Sequence, residues 1–319
     1  GISRWDGRGK VHFETIGPAV SAWHFLEDQR GTVWVTARPH VVRFDGDDWE
    51  LLTREGGPIL YDESSGMQDM IVDRQGTLWI LTDSHGMYSW DGEMWKHTGP
   101  DDGFNNDWHI LRMFEDEEGI FWFTGRDGLR RWDGQQMTHY TTKDGLDNNN
   151  IRSALVDRRG DLWLGTAGNL SRFDPRRFVT FTEDQGISFD VGVHAMRDSN
   201  SHLWFVSEEG ITRYDGETFS TWMREDGLNV FEGSQAYEDV DGAIWVTGWG
   251  VLYRLHQDSL TTYTDDHGLS EQFTLTTHRD SAGALWIGGR GLTRFAGSTF
   301  DHFTIQDGLV DFYVGQIID

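Results

Sequence analysis

No cysteine occurs in the 319 residues, which removes disulfides, thiol nucleophiles and thiolate metal sites together. Basic residues are scarce: 27 Lys and Arg stand against 53 Asp and Glu, a formal charge of -26. A chain so acidic repels phosphate backbones and anionic membrane surfaces, which argues against a nucleic-acid partner. No apolar run approaches the ~20 residues that span a bilayer, and no segment reads as a signal peptide. Sustained helical periodicity is also missing. Proline falls to 5 residues while glycine reaches 39 and aromatics 13%, a composition that suits many short strands joined by tight turns.

What is present keeps time. Trp34, Trp79, Trp122, Trp163, Trp204, Trp245 and Trp286 follow one another at intervals of 45, 43, 41, 41, 41 and 41 residues. A period in the low forties with several short strand-like runs per unit predicts a β-propeller of four-stranded blades. Strand A is an alternating run that ends in Asp, as in IRSALVD (151–157) and TLTTHRD (274–280). Strand B carries the tryptophan, as in DLWLGT (161–166), and strand C follows as GLRRWDG (128–134) or GITRYDG (210–216). Strand D is rich in aromatics and threonine, as in QMTHYTT (136–142), and a D-G-L turn leads to the next A. The DG pairs supply the positive-φ residues that hairpin turns need.

Strands A, C and D each occur eight times, but the tryptophan strand B occurs seven times. The chain opens with C and D, GISRWDG (1–7) and VHFET (11–15), and closes with A, FYVGQIID (312–319). The favoured reading is therefore a single propeller domain, 1–319, of eight blades. Its eighth blade would be a composite of 1–15 and 309–319, lacking its B strand, because spare strands with unpaired edges are a liability. Seven blades with the ends outside the ring is the alternative.

The string D-x-x-G-x-L-W-x-G-T, G-L-x-R-aromatic-D-G, F-x-x-Y-T, x-D-G-L resembles the two-component regulator propeller repeat, best at Asp157–Gly165 with Leu170–Asp174 and at Asp198–Gly216 with Glu225–Leu228. The resemblance implies an extracytoplasmic sensor domain of bacterial hybrid two-component systems, periplasmic or extracellular, often tied to polysaccharide use. Blade one departs from it with ARPHVVRFDG, and blade six reads RLHQD where R-aromatic-D-G is expected.

In such a fold the D-to-A loops and B-to-C turns share one face, where ligands gather. The candidate ligand-binding residues there are Arg38, His40, His85, Trp108, Arg126, Asn149, Glu208, Trp249 and Arg290. Phe189, Phe231, Phe273 and Phe312 stand in the same loops, either as sugar-stacking faces or as seals between blades. Aromatic faces beside amides suit sugars, which offer C–H groups for stacking and hydroxyls for hydrogen bonds. Four residues before the closing Asp of strand A stand His24, Asp69, Arg112, Ser153, His194, Gln235 and Thr276. This polar row in an apolar strand is expected to line the channel. The Arg repeated before the strand-C aromatic and the Asp closing strand A are read as structural, stacking on tryptophan and capping turns.

GxSxG, HExxH and EF-hand patterns are absent, and no catalytic, metal or cofactor constellation is assigned. The expected function is a non-catalytic recognition domain that binds an oligosaccharide. The alternatives are a streptogramin-lyase-like, metal-dependent propeller enzyme using His40, His85, Glu208 or Glu209, or a protein-binding scaffold.

Overall fold

The repeat builds the same antiparallel meander seven times. The computed structural model describes all but residues 1–2, 6–9, 13–21, 38–39, 46–48, 53–66, 83–84, 105–109, 175–176, 188–191, 232–233, 270–273, 281–282, 298, 310–312, 315–316 and 318–319. By contact the chain divides into two units, Gly1–Tyr140 and Thr141–Ile317. In the first unit, strands A to D of blade one are Ala22–Glu27, Val33–Ala37, His40–Phe44 and Trp49–Leu51. Blade two is Met67–Val72, Leu78–Thr82, Met87–Trp90 and Trp95–Thr98, and blade three is Ile110–Glu115, Phe121–Gly125, Leu129–Trp132 and Met137–Tyr140. The second unit holds blade four (Ile151–Val156, Leu162–Thr166, Leu170–Asp174, Arg177–Phe181) and blade five (Gly192–Arg197, Leu203–Ser207, Gly210–Tyr214, Phe219–Met223). It continues with blade six (Ala236–Glu238, Ile244–Gly248, Val251–His256, Ser259–Tyr263) and blade seven (Thr274–Arg279, Leu285–Gly289, Gly291–Phe295, Phe300–Phe303).

Every one of these seven sheets has four strands in the order A-B-C-D. Among the described residues the expected eighth blade is not formed. Ser3–Trp5 and Lys10–His12 make a two-stranded sheet, and the described part of 309–319 contributes a single isolated bridge, Tyr313 with Arg290. The cause is the missing tryptophan strand: A and C both pair with B, so without B they share no neighbour. The count is therefore the alternative, seven.

Each blade is closed by one clip. The Asp that ends strand A accepts the indole N–H of the tryptophan six residues later, at 2.7–3.1 Å, in Asp28–Trp34, Asp73–Trp79, Asp116–Trp122, Asp157–Trp163, Asp198–Trp204, Asp239–Trp245 and Asp280–Trp286. In most blades its other oxygen caps the A-to-B turn, as where Asp157 Oδ1 accepts from Arg159 N and Asp161 N. The strand-C arginines then lie over the tryptophans, 5.5–6.0 Å from ring centroid to guanidinium carbon, at Arg131, Arg172, Arg213, Arg254 and Arg294.

The core lies between successive blades. Trp163 and Leu170 of blade four pack with Leu203 and Phe205 of blade five, and Trp245 and Leu252 of blade six with Leu285 and Ile287 of blade seven. The apolar residue after the left-handed glycine of the D-G-L-like motif plugs the same seam within each unit: Phe104, Ile187, Leu228 and Leu269 are all buried in it. The motif itself is a one-turn 3-10 helix closed by a left-handed glycine, such as Gly145 at φ 99° or Gly227 at φ 96°. Glycine also opens strand C in blades three and five, where a Cβ would sit 2.3 Å from Tyr140 O or 2.1 Å from Trp222 O. Blade six departs as its sequence does: Gln257 and Asp258, both at positive φ, turn the hairpin, and Asp258 takes an ion pair from Arg213 of blade five at 2.7 Å.

The clip is testable at Asp198, which is buried and holds both Trp204 Nε1 and His202 N. Asp198→Ala strands both donors and should cost roughly 2–4 kcal/mol, read as a lower urea midpoint at unchanged slope. Glu225→Ala, on an exposed 3-10 turn, should stay within about 0.5 kcal/mol of the parent. Equal midpoints for the two variants would show that the clip contributes nothing.

Candidate functional site

Three hydrogen bonds lay the D-to-A loops on the B-to-C turns in the second unit: Ala167 N to Asn150 O, Trp249 N to Asn229 O, and Val314 N to Gly289 O. The shared loop face expected from the repeat is thus present at blades four, six and seven. Of the candidates, Arg38 and Trp108 lie outside the described residues, as do the His40 side chain, Phe189, Phe273 and Phe312. Within the first unit, His85 N donates to Thr82 Oγ1 and the His85 carbonyl meets His97 Nε2. Arg126 is exposed beside Asp127, whose carboxylate is held by the buried Arg130. Burial raises the Asp127 pKa, but the Arg130 hydrogen bond and charge outweigh it and leave it lowered.

In the second unit Asn149 Oδ1 accepts from Thr142 N at 2.8 Å and Asn148 Nδ2 donates to Ala167 O at 3.3 Å, so these amides hold their own loop. Glu208 is exposed in the blade-five turn. Trp249 is different in kind. It is 58% exposed, the largest hydrophobic side chain left so among the described residues, and it stands edge-on to Phe231 with ring centroids 5.9 Å apart and planes at 86°. Phe231 is braced in turn: its N–H donates to Ser234 Oγ, and Ser234 N donates back to its carbonyl.

The turn beneath Trp249 is clamped from three sides. Asn229 accepts from Trp249 N and donates its amide to Trp249 O at 3.2 Å. Asn229 N donates to Tyr253 Oη at 2.6 Å, and that hydroxyl donates to Gly227 O. Thr274, the first residue of blade seven, accepts from Gly248 N and donates to Gly248 O, both at 3.1 Å. Gly248 allows the approach, since a Cβ there would lie 2.7 Å from Asn229 O. Thr274 is also paired with Gly289, next to the exposed Arg290, and Arg290 bridges to Tyr313, itself 55% exposed. Trp249 and Arg290 therefore sit on adjoining turns with a single strand between them. Asn229, Thr274 and Tyr313 carry no motif of their own; the one signal in the sequence was the aromatic excess of the loops.

The polar row of strand A divides. Arg112 and Gln235 are exposed and His24 is half-buried, but Asp69, Ser153 and Thr276 are buried rather than open to a channel. Asp69 Oδ2 accepts from Met113 N of the next blade at 2.7 Å, and His194 is hydrogen-bonded to the Ala236 backbone of its next blade. At Asp69 and His194 the row thus ties one blade to the next. A register shift falls just before it in six of the seven A strands. Burial raises the Asp69 pKa against the opposing N–H bonds. Burial lowers that of His194, with the Ala236 hydrogen bond acting the other way. Among the described residues no group of three or more His, Asp or Glu is placed to hold a metal ion, and no helix is long and apolar enough to cross a membrane.

A family model, two component regulator propeller, matches residues 145–168, from the left-handed glycine before blade four through its B-to-C turn. That stretch of blade four carries the two component regulator propeller repeat. No curated protein matches it in sequence. Among solved structures it is similar to the extracellular domain of a one component system from B. thetaiotaomicron, at 18% identity over 92% of this chain and 50% of that one, TM-score 0.49. The chain therefore spans half the length of that domain. It is also similar to virginiamycin B lyase from Staphylococcus aureus with Quinupristin, at 16% identity over 84% and 91%, TM-score 0.59. PorZ, a bacterial surface component of the type-IX secretion system of Porphyromonas gingivalis, matches at 13% identity over 98% and 51%, TM-score 0.55. At these identities the latter two speak for the propeller fold of the repeat and not for a reaction.

The His194 linkage has a sign. Its folded pKa lies below the unfolded value of about 6.5, so the unfolded chain takes up the proton first. The stability His194 contributes is present above that value and lost as pH falls through its folded pKa. Between pH 7 and 5, His194→Gln should flatten the fall of the urea midpoint relative to the parent; parallel curves would refute the assignment.

Proposed function

We propose that this chain is the recognition part of a sensor, a non-catalytic domain that works outside the cytoplasm and binds an oligosaccharide on the loop face of blades six and seven. The observation that carries the reading is Trp249: a large apolar ring left mostly in water on a turn that three separate clamps hold still. Exposing tryptophan forfeits burial energy, and ordering its turn costs entropy in advance, so the arrangement makes sense as pre-organisation for a partner. A flat indole with an edge-packed Phe231 behind it offers a stacking surface for the C–H face of a sugar, and the neighbouring amides and Arg290 offer donors for its hydroxyls. The repeat at residues 145–168 supports the sensor context.

Titration calorimetry against an oligosaccharide panel, with divalent metals as separate arms, tests this. A binding oligosaccharide should lose about 30-fold in affinity with Trp249→Ala, for ~2 kcal/mol, while the urea midpoint of the variant stays that of the parent. Binding of a divalent metal with no sugar response would favour the metal-dependent enzyme instead. Silence in every arm would favour a protein partner.

A further inference from the structure

The four B-to-C turns of the second unit differ in charge. Blade four presents Asn169, blade five Glu208 and Glu209, blade six Trp249 and blade seven Arg290. Arg290 is the one basic residue among them, and it is exposed. It lies between two exposed aromatics. From Trp249 the backbone path runs through Gly248 to Thr274, from Thr274 to Gly289, and from Arg290 to Tyr313, each step a hydrogen bond or a strand pair. At the spacing of neighbouring strands these three steps put Tyr313 no farther than on the order of 15 Å from Trp249, a span that a short linear oligosaccharide can cover. The clamps fix the backbone of both turns, so the order aromatic, arginine, aromatic is built in.

We infer that the ligand is an anionic oligosaccharide, whose carboxylate or sulfate is taken by the Arg290 guanidinium while sugar rings on either side lie against Trp249 and Tyr313. The proposal rests on the oligosaccharide reading above and makes it more specific. An arginine fork matches a carboxylate or sulfate with two parallel N–H donors, which a neutral hydroxyl cannot exploit. The chain as a whole is strongly acidic, yet at physiological salt charges beyond about 8 Å are largely screened, so the local cation decides.

The test uses size-matched ligands on this chain: an oligogalacturonide, the same oligomer fully methyl-esterified, and a sulfated carrageenan oligosaccharide. At low salt one or both anionic ligands should bind about tenfold or more tighter than the ester. That preference should shrink as NaCl is raised and vanish in Arg290→Gln, with Arg290→Lys falling between. Preference for the oligogalacturonide alone identifies the carboxylate as the anion, and preference for the carrageenan alone identifies the sulfate. Equal binding of ester and acid, or a preference that survives in Arg290→Gln, overturns the anionic assignment and leaves the oligosaccharide reading intact. Binding of none of the three, while neutral oligosaccharides of other linkage bind through Trp249, has the same effect. Failure of every sugar overturns both.

Discussion

A carboxylate and an indole hold this fold together. The Asp that closes strand A uses one oxygen on the N–H of the tryptophan in strand B, and in most blades the other on the backbone of the turn between them. One side chain thus sets the A-to-B turn, fixes the register of the two strands and orients the largest ring in the blade. Burying the indole N–H without an acceptor would cost free energy. The carboxylate is placed in a turn rich in N–H donors, and in blade six Asp239 also meets the Arg279 guanidinium of blade seven. With the ring so fixed, its face becomes a floor for the strand-C arginine, whose stem covers apolar surface while its head remains in contact with solvent or a carboxylate, as at Arg172 with Asp161.

Joining blade to blade is a separate problem, with two solutions in the structure. The apolar one is the buried residue after the left-handed glycine, such as Leu228, set between Trp204 of one blade and Val246 of the next. The polar one is the bulged row of strand A. Asp69 and His194 reach the backbone of the following blade, where an inner strand has groups left over after pairing with its own B strand. A channel lining and an inter-blade tie call for the same residue types in sequence, a polar position in an apolar strand. What separates them is the bulge, and a bulge leaves no residue signature here: Leu111, Arg152 and Val193 occupy it in different blades.

The fold was legible because the clip has fixed spacing: Asp, then Trp six residues later, repeated at intervals near 41. The count of blades was not, because counting strand-like segments credits residues 1–15 and 309–319 with a sheet that their pattern alone cannot build. A strand is a relation to a neighbour, and strand B is the neighbour both ends lack. At the loop face, Trp249 and Arg290 were visible as departures from the small residues such turns need, whereas Asn149 looked equally promising and proves to serve its own loop. Asn and Asp side chains bond local backbone so readily that their presence in a loop says little about a ligand. Thr274 could not have been singled out, since its role depends on a neighbouring blade 26 residues away.

The separation of duties along each strand B explains why a recognition face can be varied on this scaffold. The clip sits at the A-to-B end, while the candidate residues sit at the B-to-C end, five strand residues away, or about 16 Å. Nothing at Trp249 or Arg290 is needed to close a blade, and in blade four the same turn carries Gly168 and Asn169 on an equally complete four-stranded sheet. What the B-to-C end does require is a rigid seat, and here it is supplied locally by Asn229, Tyr253 and Thr274 rather than by the repeat. The symmetric part of the sequence specifies a stack of equivalent blades, and the asymmetric part specifies one fixed surface on it. A change of ligand would then require new residues at two or three turns and the clamps beneath them, with the Asp–Trp clips untouched.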